Sequence, residues 1–219
     1  MRRNVIFVIV FAAVVIGLIQ LHNYSVENES GWKSISIDGL ISLSYPDDIK
    51  ERSDIPFELL VDREYKKILP EGADYESFRP GLIFLSRDFN EKDTAQLASF
   101  PNITVNAHAV ESFDIEQLTD SMQYSILENI KVAIDRNLEN TPYEIVEWKE
   151  FDSYRIEEGV VFRFYYLKEH ETTQAQSSSI TTYLFKNGRE VEATLSAPGE
   201  TINKWEGIYN GMISSIVFE

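Results

Sequence analysis

The chain has 219 residues, 43% of them hydrophobic and 12% aromatic, with 36 acidic against 20 basic side chains, for a formal net charge of −16. That aromatic content argues against a disordered tail, and the acidity makes nucleic acid an improbable partner. The absence of cysteine removes disulfides, thiol nucleophiles, cysteine zinc sites and the acylated cysteine of a lipoprotein, so a hydrophobic core must hold the body together.

Arg2 and Arg3 precede an apolar run from Val5 to Leu21 interrupted only by Gly17 and Gln20, and no further Lys or Arg occurs until Lys33. Positive charge stays on the cytoplasmic side, so residues 1–22 are expected to act as an N-terminal signal anchor or signal peptide, meeting the membrane through residues 4–21 and exporting the rest. Seventeen residues at roughly 1.5 Å each span about 25 Å, short for a full crossing yet longer than the usual cleaved segment. Both outcomes therefore stay open: a membrane-anchored body outside the cytoplasm, in the periplasm or on the cell surface, or a secreted one. Without the two leader arginines, 18 basic residues face 36 acidic ones, a charge of −18.

Residues 23–31 read as a polar stalk, and residues 32–219 as one domain. Trp32 to Ile37 and Leu40 to Tyr45 alternate around Asp38-Gly39, the sharpest hairpin signal in the chain, and Pro46-Asp47-Asp48 ends the second strand. From Ile49 to Arg79 the pattern turns helical and polar, with Phe57, Leu60, Val61, Tyr65 and Ile68 near one face, so residues 47–79 are expected to leave the sheet as an excursion. Gly81 to Arg87 and Asn102 to Val110 are strands; the second puts Ile103, Val105, Ala107 and Ala109 on one side and His108 on the other.

Between Phe113 and Asn140 the residues Ile115, Leu118, Met122, Ile126, Ile130 and Ile134 recur at helical spacing, with Asp114 as N-cap and Thr141-Pro142 as the stop. Strands follow at Tyr143 to Trp148, continuing weakly through Tyr154, then Gly159 to Leu167, Ser178 to Lys186 and Glu190 to Ser196; Asn187-Gly188 joins the last two tightly. A closing helix from Glu200 to about Ile216 shows Trp205, Ile208, Tyr209, Met212, Ile213 and Ile216 on one face. Strands punctuated by two long helices mean an α+β fold with an antiparallel sheet.

Chemistry-bearing residues are sparse. The histidines are His22 at the membrane boundary, His108 in a strand and His170 in an expected loop, and no pair has metal-ligand spacing. No Gly-x-Ser-x-Gly elbow, phosphate loop or dinucleotide turn is present. The pairs Asp47-Asp48, Glu157-Glu158 and Glu169/Glu171 are what an acidic chain carries by chance, the Asp-x-Asp-x-Asp-Gly calcium loop is missing, and the sequons at Asn23, Asn28 and Asn102 read as chance occurrences. No catalytic, cofactor-binding or metal-binding residue is nominated.

Two stretches stand out: Ile41-Ser-Leu-Ser-Tyr-Pro46, and the C-terminal block of Tyr183-Leu-Phe-Lys-Asn-Gly188, the strand through Ser196, Ala197-Pro198, Trp205 and Ser214-Ser-Ile-Val-Phe218. Both resemble the PsbP-like superfamily of PsbP and DcrB-like envelope proteins. The resemblance implies an α/β/α sandwich, helices on both faces of an antiparallel sheet, and a group whose members mostly bind or scaffold other molecules. The expectation is a non-catalytic envelope protein that binds another protein, as scaffold, chaperone or immunity factor, with a basic partner favoured by charge. The alternative is a small-ligand binder or hydrolase with a cleft under the 47–79 excursion, lined by Tyr65, Tyr75 and nearby carboxylates.

Overall fold

The computed structural model describes residues 31–55, 80–86, 89, 100–111, 118–138 and 143–219. The leader, all but the last residue of the stalk, the Asp114 cap, and Tyr65 and Tyr75 lie outside the described residues. Among the described residues no helix is long and apolar enough to cross a membrane.

Asp38 and Gly39 take φ of 51° and 65°, which closes the tight turn between β1 (Trp32–Ile37) and β2 (Ile41–Pro46). Asn187 and Gly188, at 53° and 70°, do the same for β8 (Gln176–Lys186) and β9 (Arg189–Pro198). Between these hairpins lie β3 (Ile49–Glu51), β4 (Leu82–Ser86), β5 (Asn102–Ala109), α1 (Asp120–Leu138), β6 (Tyr143–Ile156) and β7 (Gly159–His170). A 3-10 turn at Gly199–Thr201 leads into α2 (Ile202–Ser214), and β10 (Val217–Phe218) closes the chain.

The strands form a sheet of seven in the order β3-β4-β5-β9-β8-β7-β6 and a sheet of three in the order β1-β2-β10. Every pairing is antiparallel, so the fold is α+β as expected. The second sheet, β3 and β10 were not expected. Ile49, placed in a polar helical stretch by its sequence context, is instead a buried residue of β3 paired with β4, so residues 49–51 of the stretch expected to leave the sheet belong to it.

The largest core cluster unites β1 and β2 (Ile37, Ile41, Leu43), one side of the central strands (Ile103, Val105, Val161, Ile180, Val191, Ala193, Leu195) and α2 (Trp205, Tyr209, Met212, Ile213). Each such large side chain contributes about 1.5–3 kcal/mol by leaving water, and the Tyr209 hydroxyl donates to the Ala193 carbonyl at 2.8 Å, so no buried hydroxyl is left unpaired there. A second cluster joins Leu118, Leu127 and Ile134 to Val160, Phe162, Phe164, Tyr166 and Tyr183. On α1 the stripe toward the sheet runs Gln123, Leu127, Ile130, Ile134, with Gln123 reaching Ser153 at 3.5 Å. Met122, expected in the core, therefore points away and is 49% exposed.

The two stretches that carry the family resemblance meet in space. The Ser215 hydroxyl accepts from the Ser44 N–H at 2.8 Å and directs its own hydrogen at the Met212 carbonyl at 2.7 Å, so it continues the bonding of β2 past the point where the short β10 ends.

Candidate functional site

β6 stands at one end of the seven-stranded order, and among the described residues no strand covers its outer side. Cross-strand partners share a face, so the pairings Glu144 to Glu169, Glu147 to Leu167, Glu150 to Tyr165, Asp152 to Arg163 and Tyr154 to Val161 put Glu144, Glu147, Glu150, Asp152 and Tyr154 in one row. All five are exposed. Register shifts between Ile145 and Glu147 and between Trp148 and Glu150 mark two bulges. Each inserts one residue, Val146 and Lys149, and so aligns carboxylates that a regular strand would send to alternate faces.

The row runs into a cleft of about 600 Å³. Its walls are Ile156, Val161, Leu184, Ile213, Ile216 and Phe218, and its rim carries Glu158, Lys186 and Asn187. Tyr154 belongs to both the row and the cleft. Tight turns fix the rim: Glu158 and Asn187 both adopt positive φ at the ends of adjoining hairpins. The site therefore combines an open strand edge, a line of negative charge and an apolar recess at its end. It holds no nucleophile with an adjacent base.

On the other face, small hydroxyl side chains fill the middle of the sheet. Ser179 and Ser196 hydroxyls lie 3.0 Å apart, Thr181 and Thr194 3.0 Å, and Tyr166 and Thr181 3.1 Å. Lys168 donates to Ser196 Oγ at 3.1 Å and sits 5.4 Å from the Tyr143 ring. Desolvation lowers its pKa to about 8. Further along the same face Tyr183 donates to Glu192 at 3.0 Å, and burial followed by the Glu192 charge raises the Tyr183 pKa strongly. Burial and then Glu192 likewise raise Glu190. A serine beside a lysine of lowered pKa is the pairing of Ser-Lys hydrolases, but with the lysine deprotonated as base, acyl transfer also needs donors beside the serine, commonly backbone N–H groups, for an oxyanion. The backbone N–H groups of β7, β8 and β9 lie in interior ladders, paired on both sides.

His108 is exposed on β5 opposite Glu190, on the side away from Ile103 and Val105 as expected. His170 is a correction: it ends β7 and is 5% exposed, its Nδ1 accepting from the Thr172 and Thr173 N–H groups at 3.2 and 3.3 Å. His22 lies outside the described residues. Asp47 pairs with Lys33 at 2.8 Å on the surface, Glu157 and Glu158 form the β6–β7 turn, and Glu169 accepts from Gln176 at 2.6 Å. Asn102 is 5% exposed and donates to the Phe100 carbonyl, a poor place for a glycan. Among the described residues no three His, Asp or Glu side chains converge as a metal site. Neither the β6 row nor the Lys168 network was read from the sequence. The alternation Ser177, Ser179, Thr181 along an otherwise buried strand was the available signal for the second.

No protein-family model matches the chain, and no curated protein does. Among solved structures it is similar to the cyanobacterial PsbP (CyanoP) of Synechocystis sp. PCC 6803, with 13% identity over 87% of this chain and 94% of that one and a TM-score of 0.48. It is also similar to LpqN of Mycobacterium tuberculosis, a protein involved in cell envelope biogenesis, with 11% identity over 87% and 86% and a TM-score of 0.46. A third similar structure is the Ran-binding protein Mog1p of Saccharomyces cerevisiae, with 10% identity over 85% and 95% and a TM-score of 0.44. A PsbP is thus among the solved structures to which the chain is similar.

Proposed function

We propose that this is a non-catalytic, exported binding protein that holds an extended, cationic segment of a protein partner along β6, with an apolar side chain of that segment seated in the cleft at its end. The observation that carries the reading is the joining of the exposed row Glu144, Glu147, Glu150 and Asp152 to the apolar recess through Tyr154. An added strand gains main-chain hydrogen bonds from the open edge, while pockets for alternate side chains supply selectivity. The bulges confine such pairing to Glu150–Ile156. The net charge of the exported part steers a basic partner and repels an acidic one.

The same proposal takes residues 1–22 as the signal anchor or signal peptide and residues 32–219 as one PsbP-like domain outside the cytoplasm. We read the fold as an α/β/α sandwich with a helix over each face. Along β7 the even residues Val160, Phe162 and Phe164 meet the α1 cluster while Val161 meets that of α2, which supports a layered body with its β6 edge open to a partner.

Fluorescence anisotropy with the full chain in detergent micelles tests the docking. The probe is a labelled synthetic peptide alternating lysine with threonine and ending in phenylalanine, measured at low and high salt. Binding that weakens with salt, and at least tenfold on Glu147→Lys, Glu150→Lys and Asp152→Lys together, is the expected result. No binding, or equal binding by the triple variant, overturns the reading. A carboxyl-terminal alkaline phosphatase fusion tests export: activity outside the cytoplasm is expected, and its loss on deleting residues 1–22.

A further inference from the structure

Lysine at position 168 has three ammonium hydrogens, and Ser196 Oγ at 3.1 Å accepts one of them. The other two meet no carboxylate within ion-pair distance among the described residues. Its neighbour in sequence, Glu169, belongs to the opposite face of β7, and Glu192, already held by Tyr183, lies four residues from Ser196 along β9, roughly 13 Å away at strand rise. An ammonium taken out of water without a counter-charge is costly. In a chain with 36 acidic residues an internal partner would have been easy to supply.

A second group in the same place is also unanswered. Ser177 is the direct cross-strand partner of Lys168, is 5% exposed, and its buried hydroxyl has no hydrogen-bond partner among the described residues. Buried hydroxyls are nearly always paired. Lys168 and Ser177 share a face, and the lysine stem crosses β8 diagonally to reach β9, passing Ser177 and Ser179. The hydroxyls of Ser179 and Ser196 are mutually paired at 3.0 Å, and because an ammonium only donates, Ser196 Oγ is the acceptor toward Lys168. Lys168 keeps part of its surface in solvent, so the spot opens on its lysine side, with the Ser177 hydroxyl beneath.

We propose that Lys168, Ser177 and Ser196 form a binding site for an oxyanion, a carboxylate or phosphate group, on the face of the sheet that carries α1. Two ammonium hydrogens and one serine hydroxyl are donors that meet no acceptor among the described residues, and the group that answers all three is a compact, negatively charged cluster of oxygens. The Tyr143 ring, 5.4 Å from the ammonium, and the buried imidazole of His170, edge-on to that ring at 5.0 Å, close one side. This site is separate from the β6 edge and stands or falls independently of it.

Calorimetric titration of the full chain in micelles with sodium acetate and with sodium phosphate, at constant ionic strength set by sodium chloride, tests the site. Saturable binding of at least one of them is expected, weakened at least tenfold in Lys168→Met and several-fold in Ser177→Ala, with circular dichroism checking that both variants stay folded. Phosphate alone, acetate alone, or both identify the chemical source. The lysine 13Cε resonance should titrate at higher pH in the presence of the bound anion. No binding up to about 50 mM, well above a millimolar dissociation constant, overturns the proposal, as does binding that Lys168→Met leaves unchanged.

Discussion

Lys168 makes a measurable prediction about stability. Its ordinary pKa of 10.5 is lowered to about 8 by desolvation in the folded chain, so between those values the unfolded chain holds a proton that the native chain has released. Stability therefore rises with pH across that window. Tyr166, Tyr183 and Tyr209 act in the opposite sense, since burial raises all three from their ordinary 10.0 and the unfolded phenols ionise first. The expected profile from urea denaturation climbs from about pH 8 and turns down above about pH 10. Lys168→Met removes the climb. It should be more stable than the parent at pH 7 by about 1–3 kcal/mol, a figure reduced for the partial exposure of the side chain, and indistinguishable from it near pH 10. His170 shows why such residues escape a sequence reading. The polar run Lys168-Glu169-His170-Glu171 looks like a loop, yet hydrogen bonding in the β7–β8 ladder extends through Glu169, and burial is then set by neighbours distant in sequence.

At the scale of elements, the hairpins at Asp38-Gly39 and Asn187-Gly188 and the buried face of α2 were legible because the turn residues and the helical period are local signals. β3 and β10, three and two residues long, offer too few positions for alternation to show. The acidic row of β6 was hidden for a different reason. Glu144, Glu147, Glu150 and Asp152 are spaced by three, three and two, and two bulges convert that irregular spacing into one face. The α2 glycines give a paired test of packing against propensity. A Cβ on Gly211 would come within 2.6 Å of the Trp32 ring, whereas one on Gly207 would meet nothing within 4 Å. Gly207→Ala should stabilise by up to about 1 kcal/mol through helix propensity. Gly211→Ala should destabilise by about 1–3 kcal/mol, because the rigid ring of Trp32 must move and with it the start of β1. Urea midpoints of the two variants, compared with the parent, check both signs.

For the whole molecule, charge sets two effects that salt moves in opposite directions. Crowded carboxylates repel one another, so screening should raise the stability of residues 32–219, whereas the proposed attraction of a cationic segment should weaken over the same range as the Debye length contracts from about 10 Å at 0.1 M toward 3 Å at 1 M. The row on β6 adds a third consequence. An uncovered strand invites pairing with a second copy, and like charges along that strand oppose it. Glu147→Gln, Glu150→Gln and Asp152→Asn together keep the side-chain shapes and remove three charges from the unbulged stretch and its approach. That variant should self-associate through β6 in sedimentation velocity, while the corresponding triple lysine variant stays dispersed because its own like charges restore the repulsion. If both remain dispersed, the bulges at Val146 and Lys149 suffice to guard the edge, and keeping a second copy away is not what the carboxylates do there.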